Sequence, residues 1–448
     1  MQKLTAVLLC LAGGFALAFS AAGQTIAVDV SHPTNHFVPK ETLGAGVDRI
    51  AVEAIDKDLQ QPTLETTLAS GWQPVTYRQN TELAVEAWHW NPQGTWSDVS
   101  DASGKGYFTG SATPTETIRY SYGYALPRRG FTRNDGTDNV GFSRLTDGEL
   151  NTFWKSNPYL TERFTGESDA LHPQWVVMDL AQVQQIDSIR IAWAEPYARR
   201  YSVQYWTGDD PIKAVTRGVW QTFPQGTITD GKGGTETIRL SSSPAGVRFV
   251  RIWMTESSNT CNVDGAAGPK STDPTLNDPR NCVGYAIREL YLGTITKDGF
   301  HDILRHTPDQ EQTTTYCSSV DPWHRPSDLG STKQAQMGFD LFFTSGVTRG
   351  LPAMVPVAML YDTPDNAAAE IAYLKKRSYP ISYVEMGEEA DGQYMLPEDY
   401  AALYLQWATA IHGVDQALKL GGPSFQGVNK DIEVWPDANG KVSWTQRF

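Results

Sequence analysis

The sequence predicts a chain of two architectures, an α/β part and an all-β part, with the second inserted into the first. Three observations carry this. Between Pro352 and Phe425 an apolar strand (PAMVPVAMLYDT), a helix opening at Pro364, a strand at Ile381, a helix from Pro397 to His412 and a strand at Leu418 follow one another. That alternation builds a parallel sheet with helices outside it. Between about 113 and 295 helical periodicity gives way to short alternating strands, separated by turn clusters such as Asp209-Asp210-Pro211 and Gly231 to Gly234. Short strands at that spacing read as an antiparallel sandwich. Before 113 the α/β pattern is present again, in LGAGVD (Leu43 to Asp48), a helical stretch from Pro62 to Ser70, and VTYR (Val75 to Arg78).

Taken in order, residues 1–23 read as a signal peptide. Lys3 supplies the charged start, Leu4 to Ala12 the apolar core and Ala21-Ala22-Gly23 the small-residue cleavage site. An exported protein, secreted or periplasmic, is expected, and no later apolar run approaches a membrane span. The 448 residues allow two or three domains. A net charge of −14 excludes the concentrated Lys and Arg that phosphate binding needs, so nucleic acid is not an expected partner. Residues 24–112 form the first α/β segment. Its Trp88, His89, Trp90 and Trp96 stand in one run, readable either as core packing or as an aromatic cleft wall.

In the second α/β segment, 296–448, each helix carries its own signals. The first has Pro364 at its opening position and ends in Lys375-Lys376-Arg377, both suited to helix termini. The second places Tyr400, Leu403, Tyr404, Trp407 and Ile411 on one face, the spacing of a helix packed on a sheet. Between them ISYVEMGEEADG (Ile381 to Gly392) runs from a strand into the adjacent carboxylates Glu388 and Glu389, where βα loops carry working residues. A solvated acidic loop is the plainer reading of such a pair. Cys261 and Cys282 bracket a polar loop, 21 positions apart. Export favours a bridge between them, worth about 3 kcal/mol in the chain-entropy model, and leaves Cys317 free.

The ISYVEMGEEADG stretch resembles the fourth-strand motif of retaining glycoside hydrolases with a clan-A (β/α)8 barrel, often Glu-Ile-Gly-Asn-Glu-Pro-Asp. Glu385, Gly387, Glu389 and Asp391 match it, while Glu388 stands where Asn is usual and Ala390 where Pro is usual. The resemblance implies Glu389 as general acid/base, with Glu388 as its neighbour and first replacement. It also implies Arg78 as a support for a catalytic carboxylate, with Trp88, His89 and Trp90 lining a sugar cleft. Only five strands are legible, near 43, 75, 352, 381 and 418. The chain is therefore expected to be the amino-terminal part of an incomplete barrel, truncated after the fifth strand, with the nucleophile beyond Phe448.

The inserted region resembles a discoidin domain, the coagulation-factor type C jelly roll used by many carbohydrate-binding modules. The matching motifs are RLTDGELNTFWKS (Arg144 to Ser156), QWVVMDL (Gln174 to Leu180), IDSIRIAW (Ile186 to Trp193), RFVRIWM (Arg248 to Met254) and GYAIRELYLG (Gly284 to Gly293). In that family the residues matching Asp147, Thr152 and Glu289 often hold a structural Ca2+; a turn cap is the other reading of Asp147. Together the resemblances imply an exported glycosidase acting on an oligo- or polysaccharide, without a cofactor for catalysis. The alternative is a secreted carbohydrate-binding or adhesion protein in which the sandwich does the work.

Overall fold

The computed structural model describes residues 57–71, 143–261, 279–309, 311–322 and 339–448, with shorter pieces elsewhere. Residues 1–23, Arg78, Trp88, His89 and Trp90 lie outside the described residues, and with them the signal-peptide and aromatic-cleft expectations. The chain divides into two compact units, Met1–Thr42 and Leu43–Phe448. Everything below concerns the second.

The strands expected near 43 and 75 are β1 (Gly46–Val47) and β2 (Thr76–Tyr77), which pair in parallel around helix α1 (Gln61–Ala69). The sandwich then takes β3 (Trp154–Lys155), β4 (Gln174–Ile186), β5 (Ser188–Trp193), β6 (Ala198–Gly208), β7 (Gly218–Ile228), β8 (Thr235–Arg239), β9 (Ala245–Ser257), β10 (Ala286–Thr296), β11 (Gly299–Asp302) and β12 (Thr314–Cys317). One sheet has the order β7-β6-β9-β4-β12 and the other β8-β5-β10-β11, with β3 on β10; all pairings are antiparallel. Val176, Met178, Val203, Val250, Ile252 and Met254 of the first sheet meet Ile189, Ile191, Ile287, Leu290 and Leu292 of the second in one buried core.

The sandwich runs past the expected boundary at 295. After β10 the chain turns at Lys297-Asp298, pairs back as β11, and β12 then closes the edge of the first sheet on β4. The described helical structure resumes only at Phe339. Cys261 and Cys282 are bonded, as the loop between them suggested, and Cys317 takes no part in a disulfide.

The second α/β segment builds β13 (Ala353–Val357), α2 (Pro364–Lys376), β14 (Ile381–Met386), α3 (Pro397–Val414) and β15 (Leu420–Gly421). The strands form a parallel sheet in the order β13-β14-β15. Thr363 caps α2 by accepting from the Asn366 N–H. The stripe read from the sequence is the buried face of α3, with Tyr400, Leu403, Trp407 and Ile411 inside, and the Trp407 indole N–H donates to Ala358 O at 2.7 Å. All five expected strands are present, and β2 lies beside β13. Among the described residues they make a two-stranded and a three-stranded parallel sheet, not a closed (β/α)8 barrel. Five strands are too few to close the eight-stranded ring.

The two parts are packed together, not joined by a tether. The turn Pro158–Leu160 leaves the sandwich and buries Tyr159 and Leu160 in the α/β core, Tyr159 edge-on to Trp407 at 5.6 Å. The Gln406 amide donates to Tyr159 O at 2.8 Å.

Candidate functional site

The carboxyl edge of the parallel sheet is set by backbone geometry before any side chain is placed. Gly387 turns at positive φ, Glu388 bridges in parallel to Ser424, and the Glu389 N–H donates to Ser424 O at 2.7 Å. Glu389 itself adopts a left-handed φ of 51°, which a non-glycine residue enters at a cost and keeps only when its surroundings hold it. Glu388 is buried and Glu389 half-buried, so the two neighbouring carboxylates lie in different surroundings. Both stand immediately past the carboxyl end of β14.

Asp391 and Gly392 join this edge to the next loop. The Asp391 carboxylate accepts the Gln426 N–H at 2.9 Å and the Gly427 N–H at 2.8 Å. The Gln426 side chain lies so close over Gly392 that any Cβ there would collide with it. Asp391 therefore shapes the site and is not free to do chemistry. Glu385, also buried, accepts the Ser424 hydroxyl.

Beside this edge is a cleft of about 520 Å³. The sandwich contributes Trp175, Ile212, Lys213, Val215 and Tyr316, and the loops after β14 and β15 contribute Asp391, Tyr394, Gln426, Glu433 and Trp435. Its sandwich wall follows from a departure from simple alternation. In β4 and β9, Val176, Met178, Val250 and Ile252 point to the sandwich core while Trp175, Val177, Phe249, Arg251 and Trp253 point outward. The outward set is also covered. Trp435 covers it, with its ring centroid 4.6 Å from that of Trp175 and 5.4 Å from that of Trp220, and its indole N–H donates to Pro211 O at 3.1 Å.

Arg251 is enclosed in this layer. Its guanidinium lies over the rings of Trp220, Trp253 and Trp435 at 4.3, 4.3 and 4.6 Å and donates to Gln204 Oε1 at 2.8 and 2.6 Å. Burial holds its pKa well below the usual guanidinium value. The ring faces supply the attraction that a carboxylate would elsewhere.

The predicted metal residues come together. The Thr152 hydroxyl donates to Asp147 Oδ2 at 2.6 Å, and the Gly148 N–H donates to Glu289 Oε1 at 3.3 Å. His306 Nδ1 lies 2.5 Å from the same Glu289 oxygen and Nε2 lies 2.6 Å from Asp302. Burial pushes the Glu289 carboxyl up, against His306, which pulls it down. Burial draws His306 down, but hydrogen bonds to Asp302 and Glu289 outweigh it and push the imidazole up to about 9. Glu289 Oε2 is buried and has no hydrogen-bond partner. No cluster of three His, Cys, Asp or Glu able to hold a metal occurs among the described residues. The carboxylates of Asp147 and Glu289 and the Thr152 hydroxyl thus stand at one turn, with His306 against one Glu289 oxygen and the other oxygen without a hydrogen-bond partner.

A third polar cluster joins the two parts of the molecule. His172, from the sandwich, is buried with Nδ1 2.8 Å from Asp399 Oδ1 of α3 and Nε2 2.9 Å from Glu167 Oε2. Burial works to lower the imidazole pKa, yet Asp399 and Glu167 raise it above 6.5; burial raises Asp399 in turn. Both groups hold their protons more tightly in the folded protein. Their contribution to stability is thus complete below the unfolded pKa and is lost as pH rises through the folded one. The melting-temperature advantage of the native chain over His172→Gln should therefore shrink as the pH rises above about 6.5. An advantage that stays constant over that range would contradict this assignment.

The sequence reading named Glu388, Glu389 and the Asp147 turn but missed most of the cleft. The signal was present in QWVVMDL, whose run Trp175 to Met178 is apolar at successive positions, and in RFVRIWM, where only Arg251 breaks such a run; both patterns mark a strand covered on both faces. No helix among the described residues is long and apolar enough to cross a membrane.

Residues 144–252 match the family described as NedA-like, galactose-binding domain, of the F5/F8 type C group. Among solved structures, chitosan-binding module 1 of a chitosanase/glucanase from Paenibacillus sp. IK-5 is 21% identical, with a TM-score of 0.23, over 35% of this chain and 89% of its own. Module 2 of the same enzyme, solved with chitotriose, is 20% identical, with a TM-score of 0.23, over 38% and 94%. The family 32 carbohydrate-binding module of C. perfringens NanJ, solved with galactose, is 17% identical, with a TM-score of 0.20, over 33% and 79%. No curated protein matches the chain. Residues 144–252 are a discoidin-like F5/8 type C domain of the carbohydrate-binding type.

Proposed function

We propose that the chain is part of an exported glycoside hydrolase in which a sugar-binding sandwich is packed against the carboxyl edge of a β/α barrel. The observation that carries this reading is the position of Glu389. It stands just past the end of a central parallel strand, two residues before Asp391, which lines a cleft of aromatic and polar side chains walled by a carbohydrate-binding-type domain. The order of β1, β2, β13, β14 and β15, with β2 beside β13, supports the barrel. On this reading Glu389 protonates the leaving oxygen and then activates water, working with a second carboxylate across the sugar. Glu388, buried beside it, orients the acid or contacts the sugar. Release of 4-nitrophenol from a set of 4-nitrophenyl glycosides by the complete gene product, which supplies the second carboxylate, tests the enzymatic part. The family match at 144–252 favours one other reading, a secreted sugar-binding protein without catalysis, which predicts sugar binding and no release.

The same proposal assigns a structural Ca2+ to Asp147, Thr152 and Glu289. Bound there, the ion would hold the Asp147-Gly148 turn to β10. Chelation should lower the melting temperature of the full chain and added Ca2+ should restore it. The expected difference is about 2.7 kcal/mol at a hundredfold excess over Kd. Superimposable melts in chelator and in Ca2+ would remove the ion from the account.

A further inference from the structure

We propose that the cleft between the sandwich and the sheet edge is a binding site for a neutral oligosaccharide, gripped by both parts of the molecule at once. The inference rests on the carbohydrate reading above and goes beyond it. The sandwich becomes a wall of the ligand site, not a separate module that binds sugar elsewhere on its surface.

The lining argues for the ligand class. Trp175, Tyr316, Tyr394 and Trp435 supply aromatic surface, and rings of this kind present an apolar body with a polar handle. A sugar offers the complement, with apolar C–H faces and hydroxyl edges. The Trp175 indole N–H finds no acceptor in the protein, although the residue is only 2% exposed and lines the cleft. The exposed Gln426 amide adds both a donor and an acceptor.

Charge argues against an ionic ligand. Lys213 and Glu433 are both exposed lining residues of opposite sign, and Thr216 donates to Glu433 at 3.3 Å. The third charged group, Asp391, is committed to the N–H groups of Gln426 and Gly427. Neither sign dominates. The volume lies within the range of small-molecule sites, which run from about 300 to 1,000 Å³. One further feature marks a built site. Tyr394 lies in the left-handed region at φ 64°, which a bulky side chain enters only under constraint, and this conformation is held where the residue lines the cleft.

The test is calorimetric titration of the full chain with a galacto-, a gluco- and an N-acetylglucosamine-type trisaccharide, each separately. Two lining variants are compared with the native protein. Gln426→Ala removes a polar contact from an exposed loop, and Val215→Trp fills the mouth from the sandwich side. Thermal melts confirm that each variant folds. Both variants should bind the preferred trisaccharide at least about tenfold more weakly, the scale of a lost hydrogen bond in a ligand site. Native affinity in both folded variants would overturn the cleft assignment while leaving the carbohydrate reading in place, since the sugar would then sit elsewhere. Native protein that binds none of the three sugars would overturn the cleft assignment and remove the carbohydrate reading with it.

Discussion

Replacing Glu389 by Gln is expected to lower turnover of glycosides with poor leaving groups by about 10²- to 10⁴-fold, the usual contribution of a positioned proton donor. Aryl glycosides with activated leaving groups should be nearly spared, because their departing oxygen needs little protonation. Glutamine keeps the shape of the side chain and its hydrogen-bonding capacity but cannot give up a proton. The left-handed backbone at Glu389 and its N–H bond to Ser424 O should survive the change. Steady-state rates of the complete gene product on both substrate types provide the check. Equal loss on both would move the acid/base role to another group, with Glu388 the first to examine.

Trp435→Ala should destabilise the chain by about 3 kcal/mol, the lower end for removing a large aromatic side chain. Four interactions go together: the ring contacts to Trp175 and Trp220, the face over the Arg251 guanidinium, and the indole hydrogen bond to Pro211 O. Arg251 would remain buried with one of its three ring partners gone, and an exposed edge there would let water reach it. Trp435→Phe should recover part of the loss by keeping a ring over the cation while forfeiting the N–H. Chemical denaturation provides the measurement. Unchanged stability in the alanine variant would mean that the aromatic layer does not hold the two parts together.

Local pattern made much of the fold legible. The stripe Tyr400, Leu403, Trp407 and Ile411 gave the buried face of α3, and the five strands stand near the predicted positions. The type C motifs gave the sandwich, and the family match at 144–252 spans the first three of them and most of the fourth. The sandwich boundary was harder to read. Strands β11 and β12 are only four residues each, too short to show a period, and their place is decided by partners β10 and β4 far back in the chain. The cleft was less legible still. Trp175 and Trp435 stand 260 positions apart in the sequence, and nothing local announces that they will touch. Asp391 illustrates the opposite case. It was visible in the sequence as a motif match, and its two oxygens are taken by the backbone of the next loop.

Affinity electrophoresis of the full chain through gels cast with neutral polysaccharides tests the central claim most directly, because it asks for sugar binding without assuming a linkage or a catalytic step. The account predicts retardation in at least one polysaccharide gel relative to a gel without it, relieved by the soluble oligosaccharide of the same sugar. Mobility unchanged in every polysaccharide would contradict it.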